Sequence, residues 1–218
     1  MTASVRVETF PALSAVSGIV HAFTRRIDGI DVAADREVAL SRLEDSHREI
    51  RGTMGIGDRV FVTAQQVHGA DVAIVDAGTS IPVPSVDGLI TNDPRVCLGI
   101  YVADCGAVYL VEPRRRVIGL LHSGRKGSEL GITRIAIERM TSEFRCDPGQ
   151  MIMQLGPCIR PPTYEVDFAA EIIGQARAAG VREVHDCGIC TGLNVDRYYS
   201  YRVEKGRTGR MVAKLALA

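Results

Sequence analysis

Cys97-Leu98-Gly99-Ile100-Tyr101-Val102-Ala103-Asp104-Cys105 is the stretch on which the fold turns. Its first six residues are nearly all apolar, which marks a strand buried on both faces, and the run stops at an acid and a thiol. Two further islands of chemistry stand at the ends of apolar runs on either side: Gln66-Val67-His68-Gly69 upstream and Leu121-His122-Ser123-Gly124 downstream. A side chain at a strand end is held by the sheet behind it and still faces solvent or a ligand. One thiol and two imidazoles delivered this way make a site.

Outward from this centre, Gly18 to Thr24 alternates like a strand and ends at a turn signal, Asp28-Gly29. Asp35 to Met54 carries Val38, Leu40, Leu43, Ile50 and Met54 among many charges, a helical pattern that leaves His47 solvated. Val60-Phe61-Val62 starts the strand that leads to His68, and Asp71 to Val75 reads as its return partner in a hairpin around Gly69-Ala70. Gly88-Leu89-Ile90 is a short strand, and Val108 to Glu112 and Val117 to Leu121 are two more. The arginines 114–116 between them read as a solvated hairpin tip. After Gly124 and Gly127 the chain turns helical, with Ile132, Ile135, Ala136, Met140 and Phe144 near one face. The start of that helix lies close to His122, where free amides favour an anion. Met151 to Leu155 and Met211 to Leu217 are strands, and Phe168 to Ala178 is a helix. Strands and helices mix without regular βαβ alternation, which predicts mixed sheets and not a doubly wound parallel one.

A chain of 218 residues is long enough to bury a substantial core. Lys plus Arg equals Asp plus Glu, so no basic excess points to nucleic acid or an anionic membrane, and a small-molecule partner is the expectation. The amino terminus lacks the basic and apolar regions of a secretory signal, and no run is long enough to span a bilayer. The expected location is cytoplasmic, where the six cysteines stay reduced and serve as buried apolar groups, ligands or nucleophiles. Cys187-Gly188-Ile189-Cys190 has the spacing of half a zinc ribbon but no second pair, and reads as structural, with His185 beside it a loop residue. His21 either points toward the site or is a satisfied sheet residue.

Imidazole and thiolate both bind zinc, and three protein ligands with an open position is the arrangement of catalytic zinc, where a bound water is acidified toward neutrality. Asp104 beside Cys105 is placed to orient a histidine or act as a general base. The same atoms support a rival mechanism in which His122 deprotonates Cys105 for covalent attack on an acyl or amide carbon. Spacing alone does not choose between them.

The islands resemble those of the laccase-domain (YfiH-like) family, formerly called polyphenol oxidases and now understood as purine nucleoside phosphorylases with adenosine deaminase and methylthioadenosine phosphorylase activity. The matching motifs run through most of the chain in family order: His21-Ala22-Phe23-Thr24-Arg25, Gln66 to Asp71, Asp87 to Thr91, Val102 to Cys105 and His122-Ser123-Gly124. Leu155 to Ile159, Tyr164-Glu165-Val166, Cys190-Thr191, Tyr198 to Arg202 and Thr208-Gly209-Arg210 complete the set. The chain departs from the family where Ala-Gly-Trp-Arg-Gly usually follows the metal-binding histidine, having Ser123-Gly124-Arg125-Lys126-Gly127. It also has Ala107 for a common proline and Asp28-Gly29-Ile30-Asp31 for a Gly-Gly-Val-Ser turn.

The resemblance implies one catalytic domain over residues 1–218, an α/β (α+β type) protein with two mixed β-sheets packed together and helices outside, layered α/β/β/α. It implies His68, Cys105 and His122 as metal ligands, with Asp104, Cys105 and His122 catalytic. Arg25, Arg26, Lys126 and Tyr164 are the candidates for holding substrate and phosphate. The implied cofactor is zinc, with copper as an alternative at the same site, and the partners are a purine nucleoside and phosphate, with the chain a monomer or homodimer. A four-copper oxidase needs roughly ten histidine ligands, and this chain has five histidines. A cysteine hydrolase or deamidase like the catalytic domain of cytotoxic necrotizing factor toxins, and a non-catalytic metal- or nucleoside-binding regulator, are the other readings.

Overall fold

A computed structural model describes residues 7–218; the reading of the first residues as no secretory signal falls partly on residues 1–6, outside the described residues. The strands β1 (Val7–Glu8) and β2 (Ile19–Thr24) flank a short helix α1 (Pro11–Ser14) and lead to α2 (Arg36–Thr53). The Asp35 side chain starts α2 by accepting from the Val38 amide at 3.0 Å. Then come β3 (Val60–Thr63), β4 (Val72–Ile74), β5 (Gly88–Thr91), β6 (Val96–Val102), β7 (Gly106–Glu112) and β8 (Val117–Ser123). Two helices, α3 (Arg125–Glu129) and α4 (Ile132–Phe144), precede β9 (Ile152–Leu155), α5 (Phe168–Ala178), β10 (Glu183–Asp186) and β11 (Met211–Leu217).

The strands form two mixed sheets, as the irregular alternation predicts. One has the order β1-β2-β11-β6-β3 and the other β10-β9-β7-β8-β5-β4. Their inner faces meet in one core. Leu98, Ile100 and Val102 of β6 and Met211, Ala213 and Leu215 of β11 join Tyr109 and Val111 of β7 and Leu120 of β8 there. The opposite face of the six-stranded sheet buries Val108, Leu110 and Leu121 against Ile132, Ala136 and Met140 of α4 and Ile172 and Ala176 of α5. Both central strands of that sheet, β7 and β8, are buried along their whole length, which is why they read as continuous apolar runs.

The structure corrects three expectations, the first being His185, which lies in strand β10 opposite Gln154 of β9 and not in a loop. β3 and β4 do not form a hairpin: β3 pairs in parallel with β6 and β4 in parallel with β5, in different sheets. The intervening segment crosses between the sheets, with Gln66 at φ 62° and His68 at φ 61°, and its amides bond a side chain instead of a partner strand. His47 is not solvated but wholly buried. It lies where α2 covers the outer face of the five-stranded sheet, its ring 5.9 Å from that of Tyr101, while Arg51 stacks 4.2 Å over Phe61. Gly99 makes this packing possible, since a Cβ there would stand 2.3 Å from the Phe61 ring. The charged composition of α2 hides a buried stripe.

Lys214 shares this layer. It is fully buried, and among the described residues neither its Nζ nor either ring nitrogen of His47 has a hydrogen-bond partner. Burial pushes Lys214 down to about 7 from its ordinary 10.5; Arg51 pushes the same way, and Cys97 and Glu44 oppose. Above about pH 7 the folded chain therefore lacks a proton that the unfolded chain keeps, so this residue makes stability rise with pH. We predict that Lys214→Met is more stable than the parent at pH 7 in urea unfolding. The gap should narrow by roughly 1–2 kcal/mol by pH 8.5, and a gap independent of pH would show that Lys214 stays protonated.

Candidate active site

Three side chains from separate strand ends converge: the ligand atoms of His68, Cys105 and His122 lie within 4.8 Å of one another. His122 stands near the end of β8, Cys105 in the connection between β6 and β7, and His68 on the crossing segment after β3. Tight backbone builds the junction. Asp104 adopts φ 85° just before Cys105, and a Cβ at Gly124 would fall 2.5 Å from the Cys105 sulfur. The Gln66 side chain fastens the crossing segment to β6, donating to the Tyr101 carbonyl at 2.6 Å and accepting from its amide at 3.0 Å.

Asp87, immediately before β5, has no exposed surface and organises two of the three groups. Its carboxylate accepts from the amides of Val67, His68 and Gly69 at 3.0, 2.9 and 2.7 Å. It also bonds Nδ1 of His122 at 2.7 Å. A carboxylate accepts, so Nδ1 carries the proton and Nε2 is left for a ligand. Burial pushes the Asp87 carboxyl up, but the bonds from His122 and the loop amides outweigh it and hold it below the usual carboxylate range.

Electrostatics couple the thiol to the imidazoles. Burial pushes Cys105 up, but the charge and hydrogen bonds of His122, then His68, outweigh it and lower its pKa well below that of an ordinary thiol. Burial pushes His122 down, and Cys105 and Asp87 outweigh that in turn. Each group thus favours the charged form of the other, Cys105 as thiolate and His122 as its protonated partner when no metal is bound. The donor set also fits a divalent metal: a tetrahedral zinc with ligands at about 2.0–2.3 Å places its donors roughly 3.3–3.8 Å apart. The three donor atoms, all within 4.8 Å of one another, stand close to that spacing.

The triad opens into a cavity of about 1170 Å³ walled by Tyr101, Tyr164, Phe168 and Tyr201 and by six cations: Arg36, Arg125, Lys126, Arg202, Lys205 and Arg210. Arg210 is buried, donates through Nη1 to the carbonyls of Thr208 and Gly209, and shares the cavity wall with Arg36, Cys105 and Asp104. Burial, then the neighbouring Arg36, pushes its guanidinium below the ordinary value. Neither Arg36 nor Arg210 has a carboxylate partner among the described residues. Two like charges facing one cavity suit an anion.

Of the residues singled out from sequence, His68, Cys105, His122, Asp104, Lys126 and Tyr164 line this cavity, and Arg25 and Arg26 are not among its lining residues. Arg26 turns away to Glu204 at 2.8 Å and lies 4.5 Å over the Tyr199 ring. Asp104 does not orient a histidine. Its oxygens accept from the hydroxyls of Thr191 and Ser200 at 2.7 and 3.0 Å and the Arg202 amide at 2.7 Å, tying the carboxy-terminal loops to the site. His21 is a satisfied sheet residue, Nε2 accepting from the Phe10 amide at 2.7 Å. Cys187 and Cys190 are both free thiols. Asp87, Arg36 and Arg210 were given no role from sequence.

The sequence profile of the family described as multi-copper polyphenol oxidoreductase laccase matches residues 21–175 and 166–218. A purine nucleoside phosphorylase of Streptomyces coelicolor is 29% identical, aligned over 90% of this chain and 94% of that one. Another, from Deinococcus radiodurans, is 30% identical over 91% and 89%. The crystal structure of YlmD from Geobacillus stearothermophilus superimposes with a TM-score of 0.83 at 24% identity, covering 95% of this chain and 94% of that one. That of the Bacillus licheniformis hypothetical protein YfiH gives 0.81 at 20% identity, over 92% and 93%. The chain shares their fold.

Asp87→Asn keeps the volume of the side chain and removes the charged acceptor from His122 and the His68 loop. Zinc affinity, measured by competition with a chromogenic chelator, is expected to fall about 10–100-fold. An affinity equal to that of the parent would mean that this carboxylate does not position the ligands.

Proposed function

The chain belongs to the multi-copper polyphenol oxidoreductase laccase family, and from that premise we propose that residues 1–218 act as one zinc-dependent purine nucleoside phosphorylase domain. Its substrates would be adenosine, inosine, guanosine or methylthioadenosine with phosphate, its products the free base and a sugar 1-phosphate, and adenosine deamination a second reaction at the same site. The observation that carries this reading is the juxtaposition of the His68, Cys105 and His122 triad with the Arg36 and Arg210 pair in one cavity. The names of the Streptomyces and Deinococcus relatives support it.

Phosphorolysis needs an anion held beside the anomeric carbon while positive charge develops on the sugar and the purine departs. Arg36 and Arg210 supply forked guanidinium donors for that anion. Tyr101 and Tyr164, with Lys126 nearby on the α3 wall, offer faces and charge for the nucleoside. Asp87 keeps His122 and His68 aimed, and Asp104 holds the carboxy-terminal loops that carry Tyr201 and Arg210. His68, Cys105 and His122 would hold a zinc ion, and the chemistry it would supply there is Lewis acidity.

One observation favours a second reading. Cys105, His122 and Asp87 form the chain of nucleophile, base and orienting carboxylate that serves covalent hydrolysis. Metal content separates the two: stoichiometric zinc goes with nucleoside chemistry, and a metal-free protein whose Cys105 alkylates rapidly goes with the hydrolase.

The direct test is phosphate-dependent release of base from a panel of purine nucleosides by metal-analysed protein. Cys105→Ala is expected to lower turnover at least ~100-fold, on the scale of losing a ligand of the reacting centre. Arg210→Met is expected to raise KM for phosphate by ~10-fold or more, the loss of a charged hydrogen bond. Undiminished release by Cys105→Ala would exclude the triad from the reaction.

A further inference from the structure

The outer face of the five-stranded sheet buries an amine that the cavity does not use. Lys214 of β11 pairs with Gly99 of β6 on one side and Ala22 of β2 on the other, so its side chain rises between two small residues. Ala216, two positions on and therefore on the same face, packs with Cys97, Phe61 and Ile56, which places Lys214 under α2 and away from the core between the sheets. From α2 come the wholly buried His47 and Arg51, whose guanidinium lies 4.2 Å over the Phe61 ring. That ring fills the space above Gly99, 2.3 Å from where a Cβ would stand. Lys214 and Arg51 both act on the charge of His47, and Arg51 on that of Lys214, so the three groups share one field.

This layer is rich in donors and poor in acceptors. Among the described residues, Nζ of Lys214, both ring nitrogens of His47 and Nη1 of Arg51 make no hydrogen bond. Glu44 is the carboxylate of the layer; it is half-buried and meets Arg51 through Nη2, at 3.5 Å. Burial pushes the Cys97 thiol up to about 11 and the Tyr101 phenol up to about 12, so neither supplies negative charge. Burial, then Lys214 and Arg51, pushes His47 down to about 3, which leaves its imidazole neutral. Unpaired polar groups in a dry layer are costly. A planar anion carried on Nζ of Lys214 gives the donors of Arg51 and His47 two acceptor oxygens.

We infer that Lys214 is a carboxylation site, its amine taking up carbon dioxide to form an N-carboxylysine whose carboxylate is received by Arg51 and His47. The reaction needs a neutral amine, and burial supplies one from about pH 7 upward. The lone pair of Nζ attacks the carbon of carbon dioxide, an N–C bond forms, and one C–O π pair moves onto oxygen. The nitrogen then gives a proton to bicarbonate or buffer, and nothing is oxidised or reduced. Carbon dioxide is small, uncharged and apolar, so local opening of the packed layer is enough to admit it. The carbamate is an anion, and charge-assisted bonds from a buried guanidinium hold it where a surface lysine would lose it. Tyr101, its ring 5.9 Å from His47, lines the cavity, as does Arg36 at the start of α2. Carboxylation thus fastens α2 to the sheet behind that wall. The inference is independent of the reaction catalysed in the cavity.

The test adds isotope-labelled bicarbonate to the full chain at about pH 8, where the amine is free, and follows the carbamate carbon by NMR. The parent should show a carbamate resonance beyond that of the amino terminus, and Lys214→Met should lack it. Dissolved carbon dioxide should also raise the folding equilibrium constant of the parent in urea, about tenfold at roughly ten times the Kd read from the resonance. Lys214→Met should gain nothing, and chloride at the same ionic strength should give neither effect. Without added carbon dioxide the amine is free, the state in which Lys214→Met is the more stable chain. Arg51→Gln should weaken uptake about tenfold, the loss of a charge-assisted bond. The absence of a resonance dependent on Lys214, or an equal gain of stability in Lys214→Met, overturns the inference. Undiminished uptake by Arg51→Gln overturns the assignment of Arg51 as the receiving group.

Discussion

A single buried carboxylate holds the centre of this molecule together. Asp87 accepts three backbone amides from the segment that crosses between the sheets, and with the same two oxygens fixes the ring of His122. Its own amide donates to the Asp71 carbonyl and its carbonyl accepts from the His122 amide, so the residue is woven into the sheet from both sides. A buried charge survives only when it is fully bonded. Here the bonds that satisfy Asp87 are the ones that aim two imidazoles at one sulfur.

The rest of the fold supplies rigidity to that junction. β6, β7 and β8 are buried throughout or nearly so, and each delivers its chemical residue at or just beyond an end, where the ladder of hydrogen bonds gives way to irregular backbone. Gln66, His68 and Asp104 adopt positive φ angles around the site. Such conformations persist where surrounding contacts over-determine them, and Gln66 and Asp104 are each held by two or more hydrogen bonds of their side chains. The carboxy-terminal loops, tied through Asp104, then close the cavity with Arg210 and Tyr201.

Much of this was legible in the chain itself. The uninterrupted apolar runs of β6, β7 and β8 gave the central strands, and the position of Asp104-Cys105 and His122 at their ends gave two thirds of the triad. What stayed hidden has physical reasons. Asp87 precedes a glycine, and Asp-Gly reads as a turn, so nothing local announces a carboxylate whose four donors lie about twenty residues before it and thirty-five after. His47 is buried on a helix whose charged composition masks its packed stripe, because the space beneath it depends on a glycine in another strand. The hairpin expected around Gly69-Ala70 failed because alternation reveals a strand but not its partner. Arg36 and Arg210 meet only through tertiary structure, one from the start of α2 and the other just before the last strand.

The central claim is that His68, Cys105 and His122 act together on one cation. Zinc K-edge X-ray absorption of the full chain loaded with one equivalent of zinc tests it most directly. The account predicts one sulfur scatterer at about 2.3 Å and two imidazole nitrogens at about 2.0–2.1 Å in the first shell. A shell of oxygen scatterers without sulfur would contradict it.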